Sequence, residues 1–326
     1  MLQQIIRNSI KEIDLSPGLY LHIPFCRGKC RYCDFYSVDY DGTLMTAYVD
    51  RLLTEIRLYS GLIADDKYLP DNELYSIYLG GGTPGLLPVN ELERIFKTIF
   101  INLSLPVTGE ITLEANPYSL SEAKLAGYKK AGVNRISLGV QSLNNKELFF
   151  LGRKHDPSEA VRAVELVKKY FKNYNLDLIF AVPGQTLKDW RETLQRIIGF
   201  SPPHISLYNL QIEEGTPLME SLERGDFQKV DSDLDAEMYL FARDFLIDNG
   251  YCHYEISNFA IPGQQSRHNR LYWEYRPYLG LGPAAHSFTG KFRYRNPADL
   301  KAYLDYSSVT GINRLDRWER MTEMIF

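Results

Sequence analysis

The sequence predicts an α/β fold built on a parallel sheet, and three observations carry that prediction. Six apolar runs of strand length recur, and the runs alternate with stretches of helical spacing. Glycines, acids and amides, among them Glu114, Gln141 and Asp177, stand where those runs end. Three cysteines, Cys26, Cys30 and Cys33, fall within eight positions directly after the first run. A chain of 326 residues with 44% hydrophobic residues can bury one large core, and 24% charged residues give it a soluble surface. The 23 tyrosines fit a large lined cavity as well as half-buried strand positions.

Taken in order, residues 1–17 form a polar-mixed N-terminal segment that ends in the turn signal Ser16-Pro17-Gly18. Gly18 to Phe25 reads as the first buried strand, with Pro24 where a missing N–H is tolerable. The cysteine loop runs on to Asp41-Gly42. Leu44 to Ser60 has helical spacing, with Leu44, Tyr48, Leu52, Ile56 and Leu58 on an apolar face. A strand at Leu74–Leu79 leads through Gly80-Gly81-Gly82-Thr83-Pro84 to a helix over Val89–Phe100. A strand at Glu110–Ala115 leads to a helix opened by a capping box, Ser119 with Glu122. A strand at Arg135–Val140 precedes helical sequence from Asn145 and again from Pro157. Leu176–Val182 is the fifth strand, followed by a helix to Ile198, and His204–Leu210 is the sixth. A long amphipathic helix spans Ser232–Asp248 and stops at Asn249-Gly250. Beyond it, Tyr254–Ala260 reads as another strand. At the far end Trp318, Met321 and Ile325 have helical spacing without a C-cap, which predicts a chain whose C-terminal part is missing.

An open doubly wound sheet and a partial barrel both satisfy this pattern, and in either the ligands gather where the strands end. A net charge of -4 leaves no electrostatic footprint for nucleic acid. The segment Met1–Arg7 lacks the build of a secretory signal, and no run approaches the roughly 18 apolar residues of a membrane span. A cytoplasmic location is expected. In that setting clustered cysteines favour metal over disulfides.

Three thiolates can hold three irons of a cubane cluster and leave the fourth without a protein ligand, open to a substrate. Arg27, Lys29 and Arg31 are expected to lower the thiol pKa values. Zinc is the rival. It would need His22 or another residue as fourth ligand, and no second pair follows at finger or ribbon spacing. Cys252 stands alone and is expected to be a small buried hydrophobe.

The C-x3-C-x2-C spacing with an aromatic, Tyr32, before the last cysteine resembles the radical S-adenosylmethionine (SAM) superfamily. Tyr20-x-His22-Ile-Pro-Phe-Cys26 and Gly80-Gly-Gly-Thr-Pro84 are similar to the branch that holds oxygen-independent coproporphyrinogen III oxidase and the heme chaperone HemW. The resemblance implies a partial (β/α)6 barrel over residues 18–250, with a C-terminal extension, 251–326, that is incomplete. It implies a 4Fe-4S cluster on Cys26, Cys30 and Cys33. It also implies SAM contacts from Tyr20, Tyr32, Gly81, Gly82, Thr83, Glu114, Gln141, Arg153 and Asp177. Glycine suits such a role because it lets backbone approach a ligand closely, and a buried acid such as Asp177 needs a polar partner.

Two features divide the branch. The oxidase has a further cysteine two residues after the third, where this chain has Phe35. The run His268-Asn269-Arg270-Leu271-Tyr272-Trp273 matches the H-N-x-x-Y-W signature linked to heme binding, which makes His268, Asn269, Tyr272 and Trp273 the heme candidates. An imidazole can be an axial ligand, and the aromatics can stack on a porphyrin. The bland alternative is a structural histidine among core aromatics, and His286 is read that way. The resemblance therefore implies a heme chaperone with an unidentified acceptor protein and room for an electron donor to the cluster. The runner-up is a radical SAM enzyme acting on coproporphyrinogen III or another tetrapyrrole.

Overall fold

In the computed structural model, which describes residues 18–64, 74–102, 109–305, 310–315 and 319, the chain opens on β1 (Gly18–Ile23). Leu19, Leu21 and Ile23 alternate with Tyr20 and His22 along it, as the two-residue period of a strand requires. A short parallel pair, β2 (Phe25–Cys26) and β3 (Val38–Asp39), ties the two ends of the cysteine loop together. Helix α1 (Gly42–Ala64) buries Met45, Tyr48, Val49, Leu52, Leu53 and Ile56. Leu44 and Leu58, expected on that face, are exposed instead, because the helical repeat running through Met45, Tyr48 and Leu52 turns both outward.

Strands and helices then alternate: β4 (Ser76–Gly81), α2 (Val89–Asn102), β5 (Glu110–Ala115), α3 (Glu122–Ala131), β6 (Arg135–Gln141), α4 (Asn145–Leu151), α5 (Pro157–Tyr170), β7 (Asn173–Phe180), α6 (Leu187–Gly199) and β8 (His204–Asn209). Side-chain oxygens of Ser121, Asn144, Asp156 and Thr186 accept backbone N–H groups at the starts of α3, α4, α5 and α6. The capping box expected at Ser119 and Glu122 falls elsewhere. Pro117 starts a separate 3-10 turn that Asn116 and Ser119 close between them, and Ser121 caps the helix. Strand β7 begins three residues before the expected Leu176, since Asn173 and Asn175 pair with Arg135 and Ser137. Asp177 therefore lies inside the strand rather than at its end.

After α7 (Pro217–Glu223) and α8 (Ser232–Asp248) come β9 (Cys252–His253), β10 (Asn258–Ala260), α9 (Arg267–Trp273), β11 (Tyr278–Leu281), β12 (His286–Phe288), β13 (Phe292–Arg295), α10 (Leu300–Leu304) and β14 (Thr310–Arg314). The strand expected over Tyr254–Ala260 is confined to β10. Cys252 is exposed on β9 rather than buried. The N-terminal segment before Gly18 and the helical spacing of Trp318, Met321 and Ile325 lie outside the described residues.

One sheet runs in the order β14-β13-β12-β11-β1-β4-β5-β6-β7-β8-β10-β9. Strands β1 and β4 to β8 are parallel and neighbour one another in chain order, so their C-terminal ends share one edge. The later strands extend both flanks: β11 joins β1 in parallel, and β10 joins β8 antiparallel. No helix among the described residues is long and apolar enough to cross a membrane.

The two faces of this sheet differ. Leu21, Leu79, Leu113, Leu138, Leu176 and Ile205 belong to the main apolar core. The alternate positions carry polar groups in register: Tyr20 beside Tyr78, Tyr78 beside Thr112, Thr112 beside Arg135, and Ser137 beside Asn175. Parallel sheets are usually apolar on both faces. Here the second face borders a cavity of about 570 Å³, lined from β4 through β8, around which the sheet must curve.

Candidate functional site

Cys26, Cys30 and Cys33 all line this cavity as free, half-buried thiols. The loop that carries them is pinned by backbone. Val38 N–H donates to Pro24 O at 2.7 Å, Tyr40 N–H to Cys26 O at 2.8 Å, and Arg31 N–H to Leu151 O at 3.2 Å. The expected electrostatics are different in detail. Arg31 points away from the thiols and donates to Ser221 Oγ at 2.9 Å and Phe150 O at 3.3 Å. Burial pushes the Cys26 thiol up and, against the charge of Lys29, which lowers it as expected, the Cys33 thiol up to about 11. The cation that reaches a thiol is Arg153, whose Nη1 lies 3.4 Å from Cys30 Sγ and 3.5 Å from the Tyr32 hydroxyl.

Arg153 is held by its other nitrogen, which donates to Gly139 O at 2.8 Å and to Asn116 Oδ1. Asn116 Nδ2 donates to Thr83 Oγ1 at 3.0 Å, and Thr83 Oγ1 lies 3.5 Å from Cys26 Sγ. A hydrogen-bonded path thus joins two of the three thiols through Thr83, Asn116 and Arg153. Asn116 has no motif of its own beyond following Glu114 at a strand end, and it is not among the expected contacts.

The glycine run meets the loop at close range. Gly82 N–H donates to Ile23 O at 2.9 Å and Thr83 N–H to Phe25 O at 2.8 Å. A Cβ on Gly82 would come within 2.8 Å of Phe25 O, and one on Gly81, whose φ is +109°, within 2.6 Å of the His22 ring. Glycine is needed there for packing against β1 as well as for lining the cavity.

The remaining expected contacts divide. Tyr32, Gly81, Gly82, Thr83, Glu114, Gln141, Arg153 and Asp177 line the one cavity, while Tyr20 stands behind it. The Tyr20 ring stacks on Tyr78 at 6.2 Å, and its hydroxyl lies 3.2 Å from His22 Nδ1. Glu114 accepts from the Tyr78 hydroxyl at 2.7 Å and from Gly81 N–H at 3.3 Å, and burial pushes its carboxyl up to about 7. Asp177 accepts from Asn175 at 2.7 Å and Ser137 at 3.1 Å. Burial raises its pKa against those bonds. Gln141 ends β6 with a φ of +65°, beside a break in the β6–β7 register, and its buried Oε1 has no partner. A buried acceptor left without a partner in a cavity leaves room for a polar donor. Tyr78, Arg135 and Asn175 also line the cavity. Their signal in the sequence is the polar alternation of strands that should be apolar throughout.

The H-N-x-x-Y-W run is split by the fold. Asn269 lines the cavity. His268 is 1% exposed. Its Nδ1 lies 2.8 Å from Ser76 Oγ and its Nε2 3.0 Å from the Tyr272 hydroxyl, so both ring nitrogens are engaged. Tyr272 and Trp273 are 42% and 54% exposed, and Trp273 borders a separate hollow of about 430 Å³ with Tyr254 and Arg270.

Chemically, the thiol rim fits a cluster better than a single ion. Among the described residues no three His, Cys, Asp or Glu side chains gather as one metal ion requires. His22, the fourth ligand a zinc site would need, is buried with Nε2 at 2.9 Å from Tyr36 O and Nδ1 on Tyr20.

A family model described as the radical SAM superfamily matches residues 20–197. The heme chaperone HemW of Lactococcus lactis is 39% identical over 286 residues, 87% of this chain and 73% of that protein. The heme chaperone HemW of Escherichia coli is 39% identical over 273 residues, 82% of this chain and 69% of that protein. Among solved structures, coproporphyrinogen III oxidase (HemN) from Escherichia coli, a radical SAM enzyme, superimposes with a TM-score of 0.84 at 22% identity, over 99% of this chain and 77% of that one. At that identity the likeness is one of fold.

Proposed function

We propose, because this chain belongs to the radical SAM superfamily and within it to the family of the heme chaperone HemW, that it binds heme and delivers it to an acceptor protein. Superfamily membership implies a 4Fe-4S cluster and SAM. Cys26, Cys30 and Cys33 would hold three irons, and the cluster would supply a redox-active iron with an open position. The single observation that carries the cluster and SAM part of this reading is the convergence of three thiols, the Gly81–Thr83 turn, Glu114, Gln141, Arg153 and Asp177 on one cavity. The protein's own part is to hold thiol sulfur by hydrogen bonds from Thr83 and Arg153 and to present Glu114 to a cationic group. Unpartnered Gln141 Oε1 and Arg153 Nε are two further places for a polar ligand.

Heme is proposed to dock on the exposed rings of Tyr272 and Trp273. Ligation of its iron by His268 requires the imidazole to give up its bond to Tyr272 or to Ser76. Phe35, 63% exposed at the cavity rim, occupies the position where the oxidase carries its extra cysteine. That residue supports delivery of heme over decarboxylation of a tetrapyrrole.

The test is anaerobic reconstitution of the cluster followed by titration of heme by absorbance, with His268→Ala alongside. In parallel the protein is incubated with coproporphyrinogen III, SAM and a reductant. Heme binding without decarboxylation is the expected result. Formation of protoporphyrinogen would overturn the reading in favour of the oxidase.

A further inference from the structure

Arg135, the first residue of β6, is 1% exposed and lines the cavity. Its Nε and Nη2 are buried without a hydrogen-bond partner, and it makes no ion pair among the described residues. A guanidinium does not deprotonate in a protein. The floor of the cavity therefore holds a permanent buried cation with two unused donors, which is costly unless something pairs with it.

Those two donors are a matched set. Nε–H and Nη2–H lie along one edge of the planar guanidinium, the edge that receives both oxygens of a carboxylate side-on. Thr112 stands opposite Arg135 on the β5–β6 ladder, and its Oγ1 is likewise buried and unpartnered. Ser137, Asn175 and Asn269 border the same cavity with neutral polar groups. Glu114 and Asp177 feel the charge of Arg135 but accept their hydrogen bonds elsewhere, Glu114 from Tyr78 and Gly81, and Asp177 from Asn175 and Ser137.

We infer that Arg135, which lines the cavity, forms a carboxylate-binding subsite there, with Thr112 beside it on the ladder as a buried hydroxyl within the same face. Arg135 lies four positions before Gly139, the anchor of Arg153, so its Cα sits about 13 Å back along β6 from that point. A carboxylate has two sources here: a free small acid in the cavity, or a propionate arm of a tetrapyrrole that enters this cavity rather than the separate hollow beside Trp273, and the second source rests on the heme binding proposed above.

The full chain, reconstituted anaerobically, is followed by thermal unfolding while sodium formate replaces sodium chloride at constant ionic strength. Arg135→Lys and Thr112→Val run alongside. Formate is expected to raise the midpoint of the wild-type protein by a few degrees. Lysine keeps the charge and loses the two-donor edge, so Arg135→Lys should not respond, and Thr112→Val should need several-fold more formate. Equal responses of wild type and Arg135→Lys would overturn the two-donor edge. Iron protoporphyrin IX and its dimethyl ester are then titrated by absorbance. A several-fold preference for the free acid that Arg135→Lys abolishes assigns the subsite to the propionate. A formate response without that preference assigns it to a free acid. An inert formate titration together with equal binding of acid and ester would sink the subsite and leave heme binding standing. Absence of all heme binding beside an intact formate response counts against the proposed function alone.

Discussion

The imidazole of His268 is stacked on the ring of Tyr78, with centroids 5.0 Å apart and planes 28° from parallel. Tyr78 in turn donates its hydroxyl to Glu114. Through one tyrosine, the first residue of the H-N-x-x-Y-W run touches the carboxylate expected to hold SAM. The two motifs are far apart in the chain and share a wall in the fold.

His268→Ala should therefore act on stability as well as on heme. The change leaves a hole and two hydroxyls, on Ser76 and Tyr272, without their imidazole partner. A loss of about 2–4 kcal/mol in urea unfolding at neutral pH is expected. The loss has a pH signature. Burial pushes His268 down to about 3, below its unfolded value. A histidine held neutral contributes stability that is present above the unfolded pKa and is lost as pH falls through it toward the folded value. The gap between wild type and variant should narrow below pH 6.5, by at most about 1.4 kcal/mol per unit. A gap that stays constant to pH 5 would show that the ring is not held neutral.

Glu114 has the opposite sign. Its folded pKa of about 7 lies above its unfolded value, so its contribution to stability is complete below the unfolded pKa and is lost as pH rises through 7. A cationic group of SAM prefers the ionised carboxylate, so SAM binding should gain from Glu114 as that stability is lost. Calorimetric titration of SAM into the cluster-loaded protein is expected to show wild type losing its advantage over Glu114→Gln about tenfold per unit below pH 7. Parallel pH profiles for the two proteins would remove Glu114 from the site.

The strand–helix order and the convergence of the cysteine loop with the glycine run were legible, because each strand carries an apolar repeat that only one packing satisfies. Asp177 was misplaced at a strand end because Asn173-Tyr174-Asn175 looks like a turn until it pairs with β6. Arg135 and Asn175 were hard to read as site residues because polar alternation along a parallel strand is their only mark, and it does not say that the polar face borders a cavity. The H-N-x-x-Y-W run reads as one unit, yet a seven-residue helix sends Asn269 toward the cavity, His268 into the interior and Trp273 to the surface. Spacing along a helix separates what spacing in the chain groups.

Gly82→Ala tests the packing of the glycine run without touching a thiol. The new methyl would meet Phe25 O at 2.8 Å and Pro24 C at 2.9 Å, both backbone atoms next to Cys26. Backbone cannot yield as a side chain does, so a cost of about 2–4 kcal/mol is expected. Iron content after reconstitution should fall with it, since the displaced segment leads into the first cysteine. A variant with wild-type stability and full iron content would mean that the loop tolerates displacement.

The later strands are fastened to the core through one buried carboxyl. Glu55 on α1 is 3% exposed and accepts three hydrogen bonds, from Tyr303 Oη at 2.6 Å, Asn296 Nδ2 at 2.7 Å and Gly282 N–H at 3.0 Å. All three donors come from residues after β11, so one buried carboxyl ties α1 to β11, β13 and α10. Burial raises the pKa of this carboxyl, and the three donors oppose that rise. Tyr303→Phe removes the shortest bond and keeps the ring, which also lies 6.0 Å from Tyr48. A buried bond to a carboxyl contributes about 1.5–3 kcal/mol, and a loss of that size is expected. The loss should be local. Hydrogen exchange should quicken in β11 to β13 while amides of β5 to β7 keep their protection, because the latter pair only within the core. Uniform acceleration across both sets would mean that the sheet opens as one unit and that Glu55 is not a separate fastening.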